Sequence, residues 1–280
     1  MPKHTHARKK HRRYTPAQKV ITILLVFILA LAVAVGALII DNQRLRTDIA
    51  ELSDASSALQ TEDSSSQTVD DTSSKVPVSN VDPDLWSLRL ANYENVLPSD
   101  FRVETGLITP AYARDQGMSF DARAVGHLND MLAAADADGV NLLVISCFRT
   151  MQKQTNLYNA EVNKWINQGY DEQSAKTKAA TIVAVPGTSD HNLGLAVDLN
   201  SVEESFENTK QFTWLQAHAE EYGFVMRYPR DKESITKIIY EPWHYRYVGV
   251  DAAREMNSLD MCLEEYVAYL KGEPIPTGEN

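Results

Sequence analysis

The sequence predicts an α+β fold, in which several helices pack around a modest set of strands. Short apolar runs rich in β-branched residues, such as "VNLLVIS" at 140–146, indicate strands, and longer segments with apolar residues at helical spacing indicate helices. The two kinds of segment do not alternate regularly, which argues against a parallel βαβ architecture. The chain has 280 residues, 44% of them hydrophobic, enough for one domain of about 150–200 residues with extensions.

The elements of this domain can be placed in order along the chain. The first long helix is predicted within 119–139, where Val125, Leu128 and Leu132 share one face and Gly139 gives a stop signal. Further helices are predicted at about 151–167, 171–183 and 209–223. Strands are predicted at 140–146, 194–200, 224–228 and 243–248, after a first strand and turn at 85–101. The folded domain is therefore expected at 83–272, followed by a tail at 273–280.

Before this domain lies a segment with the properties of a membrane anchor. Residues 20–40 carry no charge, and ~20 apolar residues suffice to cross the hydrocarbon core of a bilayer. Residues 1–19 hold seven Lys or Arg and no acid, so this arm should stay in the cytoplasm and the rest of the chain should lie outside the cell. A cleavable signal peptide is the alternative, but its apolar region is usually about 7–15 residues long. We therefore expect a single-pass protein of the cell membrane.

Residues 41–82 should connect the anchor to the domain. Leu45, Ile49 and Leu52 follow helical spacing and predict a short juxtamembrane helix. Residues 61–80 are rich in Ser, Thr and Asp and have few large apolar groups, so they cannot bury enough surface to fold alone. This part is interpreted as a solvated tether.

Charge and cysteine content narrow the function. The whole chain has a net charge of −11; without the seven cations of the arm, 20 basic and 38 acidic residues give −18. Nucleic-acid binding needs a basic footprint, which this composition does not offer. Cys147 and Cys262 are the two cysteines; they could pair outside the cell or remain separate buried thiols.

The stretch "SDHNLGLAVDLN" at 189–200 places Asp198 within an apolar strand. A carboxylate flanked by Val197 and Leu199 loses hydration, which costs several kcal/mol unless a cation or donors replace the water. The small side chains at 194 and 196 leave room on its face of the strand. His191 lies seven residues upstream and can share a metal ion with Asp198 only if the chain turns back, which Gly194 allows.

A third ligand is available in "IIYEPWHYRYVG". Three histidines lie in the arm, and two lie in predicted helices, which leaves His244, three residues after Glu241. Two histidines and one aspartate with an open fourth position form a catalytic zinc site, in which Glu241 would be free to act as the general base. Each residue also has a simpler interpretation: His191 could cap a turn, Asp198 could lie at a sheet edge, and Glu241 could pair with Arg246.

Three blocks of the sequence resemble the VanY-type D-alanyl-D-alanine carboxypeptidases. The pattern S-x-H-x-x-G-x-A-x-D is met by "SDHNLGLAVD" from Ser189 to Asp198, and E-x-W-H by "EPWH" from Glu241 to His244. A third block, usually S-G-Y-R-S with a later glutamine, appears as "SCFRTMQKQ", with Cys147, Phe148 and Thr150 as departures. The resemblance covers roughly residues 85–270, and the departures bear on substrate preference more than on chemistry.

The resemblance implies a fold, a cofactor and residue roles. The fold would be Hedgehog/DD-peptidase-like, with a small, mainly antiparallel sheet flanked by helices. His191, Asp198 and His244 would bind Zn²⁺, and Glu241 would take a proton from the metal-activated water. Arg149 would face the oxyanion or the C-terminal carboxylate of the substrate. Ser146, Gln154 and Ser189 would hydrogen-bond the peptide, and Trp243 would line the pocket or belong to the core.

The expected function is hydrolysis of the C-terminal D-alanine of peptidoglycan stem peptides, as a D,D- or an L,D-carboxypeptidase. Two alternatives stay open: an endopeptidase of the same chemistry, and a wall-binding module without turnover. The partners expected are the stem peptide and, through residues 20–40, the cytoplasmic membrane.

Overall fold

The computed structural model describes residues 79–278. The predictions of an arm at 1–19, an anchor at 20–40 and most of the connection at 41–82 fall outside the described residues. Across 79–278, none of the helices has the length and hydropathy needed to cross a membrane.

A four-stranded antiparallel sheet forms the centre of the domain, in the spatial order β3-β4-β6-β5. Its strands are β3 (Val144–Ser146), β4 (Ala196–Leu199), β5 (Phe224–Met226) and β6 (His244–Tyr247). A separate antiparallel pair joins β1 (Thr105–Leu107) to β2 (Ser119–Asp121). The expectations of an α+β fold and of a small, mainly antiparallel sheet are confirmed.

Helices surround this sheet. They are α1 (Val125–Ala137), α2 (Met151–Asn167), α3 (Glu172–Ala180), α4 (Asp190–Leu193), α5 (Lys210–His218), α6 (Glu233–Thr236), α7 (Val250–Leu259) and α8 (Leu263–Lys271). Side-chain caps help to fix several of the starts: Thr150, for example, accepts from the Lys153 N–H, and Asp171 accepts from the Ser174 N–H. The helix predicted at 209–223 changes to a 3₁₀ turn after His218. Neither α7 nor α8 was predicted.

The first strand predicted at 85–101 is wrong. This segment forms a 3₁₀ turn at Trp86–Leu88 and contains no strand. The carbonyl oxygens of Ser87 and Arg89 accept hydrogen bonds from the Arg246 guanidinium, so they do not pair with another strand. The segment is thus held by a side chain of β6.

The two faces of β4 differ as the alternation of its residues predicts. Leu195, Val197 and Leu199 belong to the main apolar core, together with Leu128 and Leu132 of α1. Ala196 and Asp198 lie outside that core, although both are buried. A second apolar cluster joins α7 and α8 to Leu88, Val225 and Val248. The polar face of β4 is therefore left free for a site.

Candidate active site

The three predicted ligands come from α4, β4 and β6. Asp198 and His244 are directly opposite each other in the register of the antiparallel β4–β6 pair. His191 lies in α4. The N-cap of this helix is Ser189, whose hydroxyl accepts from the His191 N–H at 3.3 Å. Gly194 ends this helix with a left-handed φ of 74°, a conformation that glycine adopts without steric cost. This is the turn that the seven-residue spacing required.

The ligand atoms of these residues converge in the interior. His191 Nε2 lies 3.3 Å from Asp198 Oδ2, and His244 Nδ1 lies 3.1 Å from Asp198 Oδ1. All three ligand atoms fall within 4.8 Å of one another. Tetrahedral zinc ligands, at about 2.0–2.2 Å from the ion, are separated by about 3.3–3.6 Å. Asp198 is therefore separated from each histidine by a distance close to that between two ligands of one zinc ion.

An unsatisfied polar atom points to the same conclusion. Asp198 Oδ1 is buried and has no hydrogen-bond partner within the described part of the chain. Asp198 Oδ1 does face His244 Nδ1, but as an ion pair without hydrogen-bond geometry. Leaving a buried polar atom unpaired costs about 1–3 kcal/mol, so a cation at this position would remove an unfavourable feature. The donor set thus fits a divalent metal ion.

The protonation states of the two histidines differ. Burial lowers the pKa of His191 to about 4, so this imidazole is neutral, as a metal ligand must be. Burial also opposes protonation of His244, but the adjacent carboxylates of Asp198 and Glu241 outweigh it and raise its pKa to about 9. The same two histidines help to hold the pKa of Asp198 well below its usual value in spite of burial. Asp198 is therefore the anionic centre of the site.

Backbone contacts orient the first ligand. His191 Nδ1 lies 2.8 Å from the carbonyl oxygen of Cys147 and donates to it, which leaves Nε2 facing Asp198. The Arg149 N–H donates to the His191 carbonyl at 3.0 Å, and Asn192 Nδ2 donates to the Arg149 carbonyl at 2.8 Å. No sequence pattern predicted these roles of Cys147 and Asn192. Cys147 and Cys262 are both free, buried thiols.

Arg149 reaches the metal site from the turn after β3. Its guanidinium donates to Asp198 Oδ2 at 2.8 Å and to Ser146 Oγ at 2.7 and 3.0 Å. Gln154 Oε1 lies 3.4 Å from the same guanidinium, and Gln154 Nε2 donates to the Ala184 carbonyl. The structure therefore brings Ser146, Arg149 and Gln154 together beside Asp198. Their predicted contacts with a peptide stay predictions.

Glu241 lies beside the ligands without being one of them. Its Oε2 is 3.3 Å from His244 Nδ1, and only 8% of the residue is exposed. Burial raises the pKa of Glu241 above its ordinary value, which brings it closer to the pH at which it would accept a proton in catalysis. The alternative pairing of Glu241 with Arg246 does not occur, because the Arg246 side chain binds Asp190.

These groups line a pocket of about 380 Å³, within the size range of small-ligand sites. Its polar lining includes Arg149, Ser189, Glu241 and the three predicted ligands. Its apolar lining includes Leu157, Ile182, Val183, Val202, Ile238, Ile239 and Trp243. Trp243 also belongs to the main core, so both interpretations of it hold. A larger groove of about 870 Å³ near Trp86 contains none of the predicted site residues.

Tyr228 is a pocket residue that sequence reasoning missed. Its ring centroid lies 4.8 Å from that of His244. Its carbonyl oxygen accepts from the Glu241 N–H at 3.2 Å. Tyr228 therefore contacts both the third ligand and the backbone of the candidate base.

Comparison with known proteins identifies the family. The sequence pattern of the family described as VanY, D-alanyl-D-alanine carboxypeptidase, matches residues 117–250. A D-alanyl-D-alanine carboxypeptidase of Enterococcus faecalis is 41% identical over 182 residues, which are 65% of this chain and 66% of that protein. The chain thus spans just under two thirds of that relative.

Two solved structures extend the match. The E175A mutant of the vancomycin-resistance D,D-pentapeptidase VanY, in complex with Zn(II), is 41% identical with a TM-score of 0.58, over 65% of this chain and 99% of that one. VanYB in complex with D-alanine-D-alanine has the same identity and TM-score, over 65% of this chain and 97% of its own. The predictions of a zinc metallopeptidase and of Zn²⁺ as its cofactor are confirmed. The chain belongs to the VanY family of D-alanyl-D-alanine carboxypeptidases.

Proposed function

We propose that this protein is a zinc D,D-carboxypeptidase that removes the terminal D-alanine from peptidoglycan stem peptides. The observation that carries the proposal is the buried set of His191, Asp198 and His244 with Glu241 beside it, not needed as a ligand. The VanY match and the relative solved with D-alanine-D-alanine support the substrate class.

Each residue of the site has a definite task in this reaction. His191, Asp198 and His244 would hold Zn²⁺, which when bound lowers the pKa of water to about 7 and polarises a carbonyl. Glu241 takes a proton from water and delivers it to the amine of the departing D-alanine. Ser189 Oγ is engaged by the His191 N–H, so it orders α4 in addition to facing the pocket.

Arg149 is proposed to recognise the negative end of the substrate. Among the described residues that line the pocket, it is the one Arg or Lys side chain. A carboxypeptidase substrate ends in a carboxylate, for which the planar guanidinium fork is a good partner. The net charge of −18 for residues 20–280 gives no general attraction for anionic wall polymers, so recognition should be local.

The test is mass spectrometry of muropeptides after incubation with the zinc-loaded full chain. We expect pentapeptides to lose one D-alanine and become tetrapeptides, with no loss after thorough chelation. Conversion of tetrapeptides to tripeptides would show L,D-activity instead. Release of a longer peptide would identify an endopeptidase, and binding without any product would identify a wall-binding module.

We further propose that residues 20–40 anchor the protein in the cytoplasmic membrane with residues 83–272 outside. The support is the uncharged run and the seven cations that precede it. Protease added to intact cells whose wall has been removed should digest the domain and spare the arm. Protection of the domain would contradict this orientation.

A further inference from the structure

Behind the metal site lies a second group of charged residues, which we call the buried arginine cluster: Asp190, Arg227, Arg246 and Glu264. Their exposed fractions are 0%, 1%, 0% and 8%. Arg227 Nε donates to Asp190 Oδ2 at 2.7 Å, and the Arg246 guanidinium binds the other oxygen of the same carboxylate. Arg227 also forms a bidentate pair with Glu264, at 2.6 and 2.7 Å. Two cations and two anions thus balance in the interior.

Hydrogen bonds join the cluster to neighbouring segments of the chain. Asn92 Nδ2 donates to Glu264 Oε1 at 2.9 Å, and Arg246 donates to the carbonyls of Ser87 and Arg89. Burial alone would raise the pKa of Glu264, but the facing Arg227 holds it below its usual value. The cluster therefore ties the segment before β1 and the start of α8 to the centre of the domain.

A role in stability alone does not explain this arrangement. Removing charges from water is costly, and apolar residues of similar volume often stabilise a core as well or better. In some proteins, buried ionic groups instead serve to fix one conformation of the chain. Within the described residues, no buried side-chain nitrogen or oxygen of the cluster lacks a hydrogen-bond partner, so the cluster can serve as a rigid support.

Three members of the cluster are linked through the backbone to residues of the candidate metal site. Asp190 immediately precedes His191 in α4, and Arg246 follows His244 by two residues on β6. Arg227 precedes Tyr228, whose ring packs on His244, and the Arg227 N–H donates to the His244 carbonyl at 3.1 Å. Both histidine ligands are thus connected to one pair of arginines.

We propose that the buried arginine cluster positions His191 and His244 for metal binding, with Glu264 as its outer anchor. None of its members is a predicted ligand, so they are positioning residues. Glu264 and Asn92 lie outside the region matched by the VanY family pattern, 117–250, so the support extends into the flanking segments of this chain. The proposal depends on the zinc site of the proposed function.

The experiment compares Glu264→Gln with Glu265→Gln in the full chain. The two glutamates are neighbours on α8, and each is only 8% exposed. Each also pairs with a cation: Glu264 with Arg227 at 2.6 Å, and Glu265 with Lys232 at 3.0 Å. Among the described residues, no hydrogen bond or ion pair joins the Glu265 carboxylate to the cluster, so Glu265 is the matched control. The dissociation constant for Zn²⁺ is measured by competition with a chromophoric chelator, alongside the visible spectrum of the Co²⁺-loaded protein and the Tm.

We expect Glu264→Gln to weaken Zn²⁺ binding at least about tenfold and to alter the Co²⁺ spectrum, as outer partners of metal ligands commonly do. Glu265→Gln should lower the Tm but leave Zn²⁺ affinity within about twofold of the wild type. Equal Zn²⁺ affinities and spectra in both variants would overturn the proposal. If Glu264→Gln does not fold, Asn92→Ala, which removes the hydrogen bond to Glu264, must weaken Zn²⁺ binding more than Glu265→Gln does.

This readout separates the two proposals. Zn²⁺ affinity and the Co²⁺ spectrum do not depend on turnover. A wild-type protein that binds Zn²⁺ but releases no D-alanine would contradict the proposed function and leave the positioning role intact. If the wild type releases D-alanine but Glu264→Gln binds Zn²⁺ as well as the Glu265→Gln control does, the proposed function stands and the positioning role is contradicted.

Discussion

Glu241→Gln is expected to bind Zn²⁺ and to release D-alanine about 10²–10⁴-fold more slowly than the wild type, the range typical of general acid–base catalysis. The amide has nearly the same shape as the carboxylate but cannot take a proton from water. Because Glu241 is buried and its pKa is raised, the wild-type carboxylate is a better base than an exposed glutamate. The measurement is kcat on a pentapeptide muropeptide at saturating Zn²⁺.

The control for this variant is Glu265→Gln, which removes a carboxylate that is equally buried. It should lower stability and leave kcat within about twofold, because Glu265 binds Lys232 and the Cys262 N–H, away from the pocket. A Glu241→Gln enzyme with normal kcat would remove Glu241 from the mechanism. Loss of Zn²⁺ from this variant would instead make Glu241 a determinant of metal binding.

The clustering of His191, Asp198 and His244 could be expected from sequence, because they lie in short motifs with local rules and follow the pattern of a known family. An aspartate in an apolar strand beside small residues needs a positive partner, and Gly194 offered the turn that brings His191 back. Antiparallel pairing then places His244 opposite Asp198.

The buried arginine cluster could not be predicted in this way. The partners of Asp190 are distant in the sequence, at Arg227, Arg246 and Glu264. In addition, charged residues usually face water. Only the tertiary structure shows that α8 covers Arg227. For the same reason the segment at 85–101 was wrongly predicted to contain a strand: its carbonyl groups bind Arg246, which no local pattern reveals.

Arg149 is placed to contact both Asp198 and a substrate in the pocket. Its guanidinium contacts Asp198 at 2.8 Å, yet it also lines the pocket and is 16% exposed at the side chain. It can act on the substrate carboxylate, on the developing oxyanion, or only on the orientation of Asp198. We expect Arg149→Lys to lower kcat/KM on a pentapeptide by about 10²–10³-fold, because lysine keeps the charge but loses the planar fork.

A substrate with an amidated terminal D-alanine distinguishes these roles. If Arg149 binds the terminal carboxylate, amidation should weaken the wild type strongly and Arg149→Lys little, so that the two changes are not additive. Ser146→Ala is the companion variant, because it removes the hydroxyl that holds the guanidinium at 2.7 and 3.0 Å. It should show the same pattern with a smaller loss.

The opposite result would assign Arg149 to the metal site. If it only orients Asp198, amidation should lower kcat/KM by the same factor in the wild type and in Arg149→Lys, because independent effects multiply. Arg149→Lys should then also bind Zn²⁺ more weakly, by about tenfold, as expected for a partner of a ligating carboxylate. The contact of Arg149 with Asp198 is the structural basis of this second role. Zn²⁺ titration of Arg149→Lys, together with kcat/KM on the free and the amidated substrate, decides between substrate binding and orientation of Asp198.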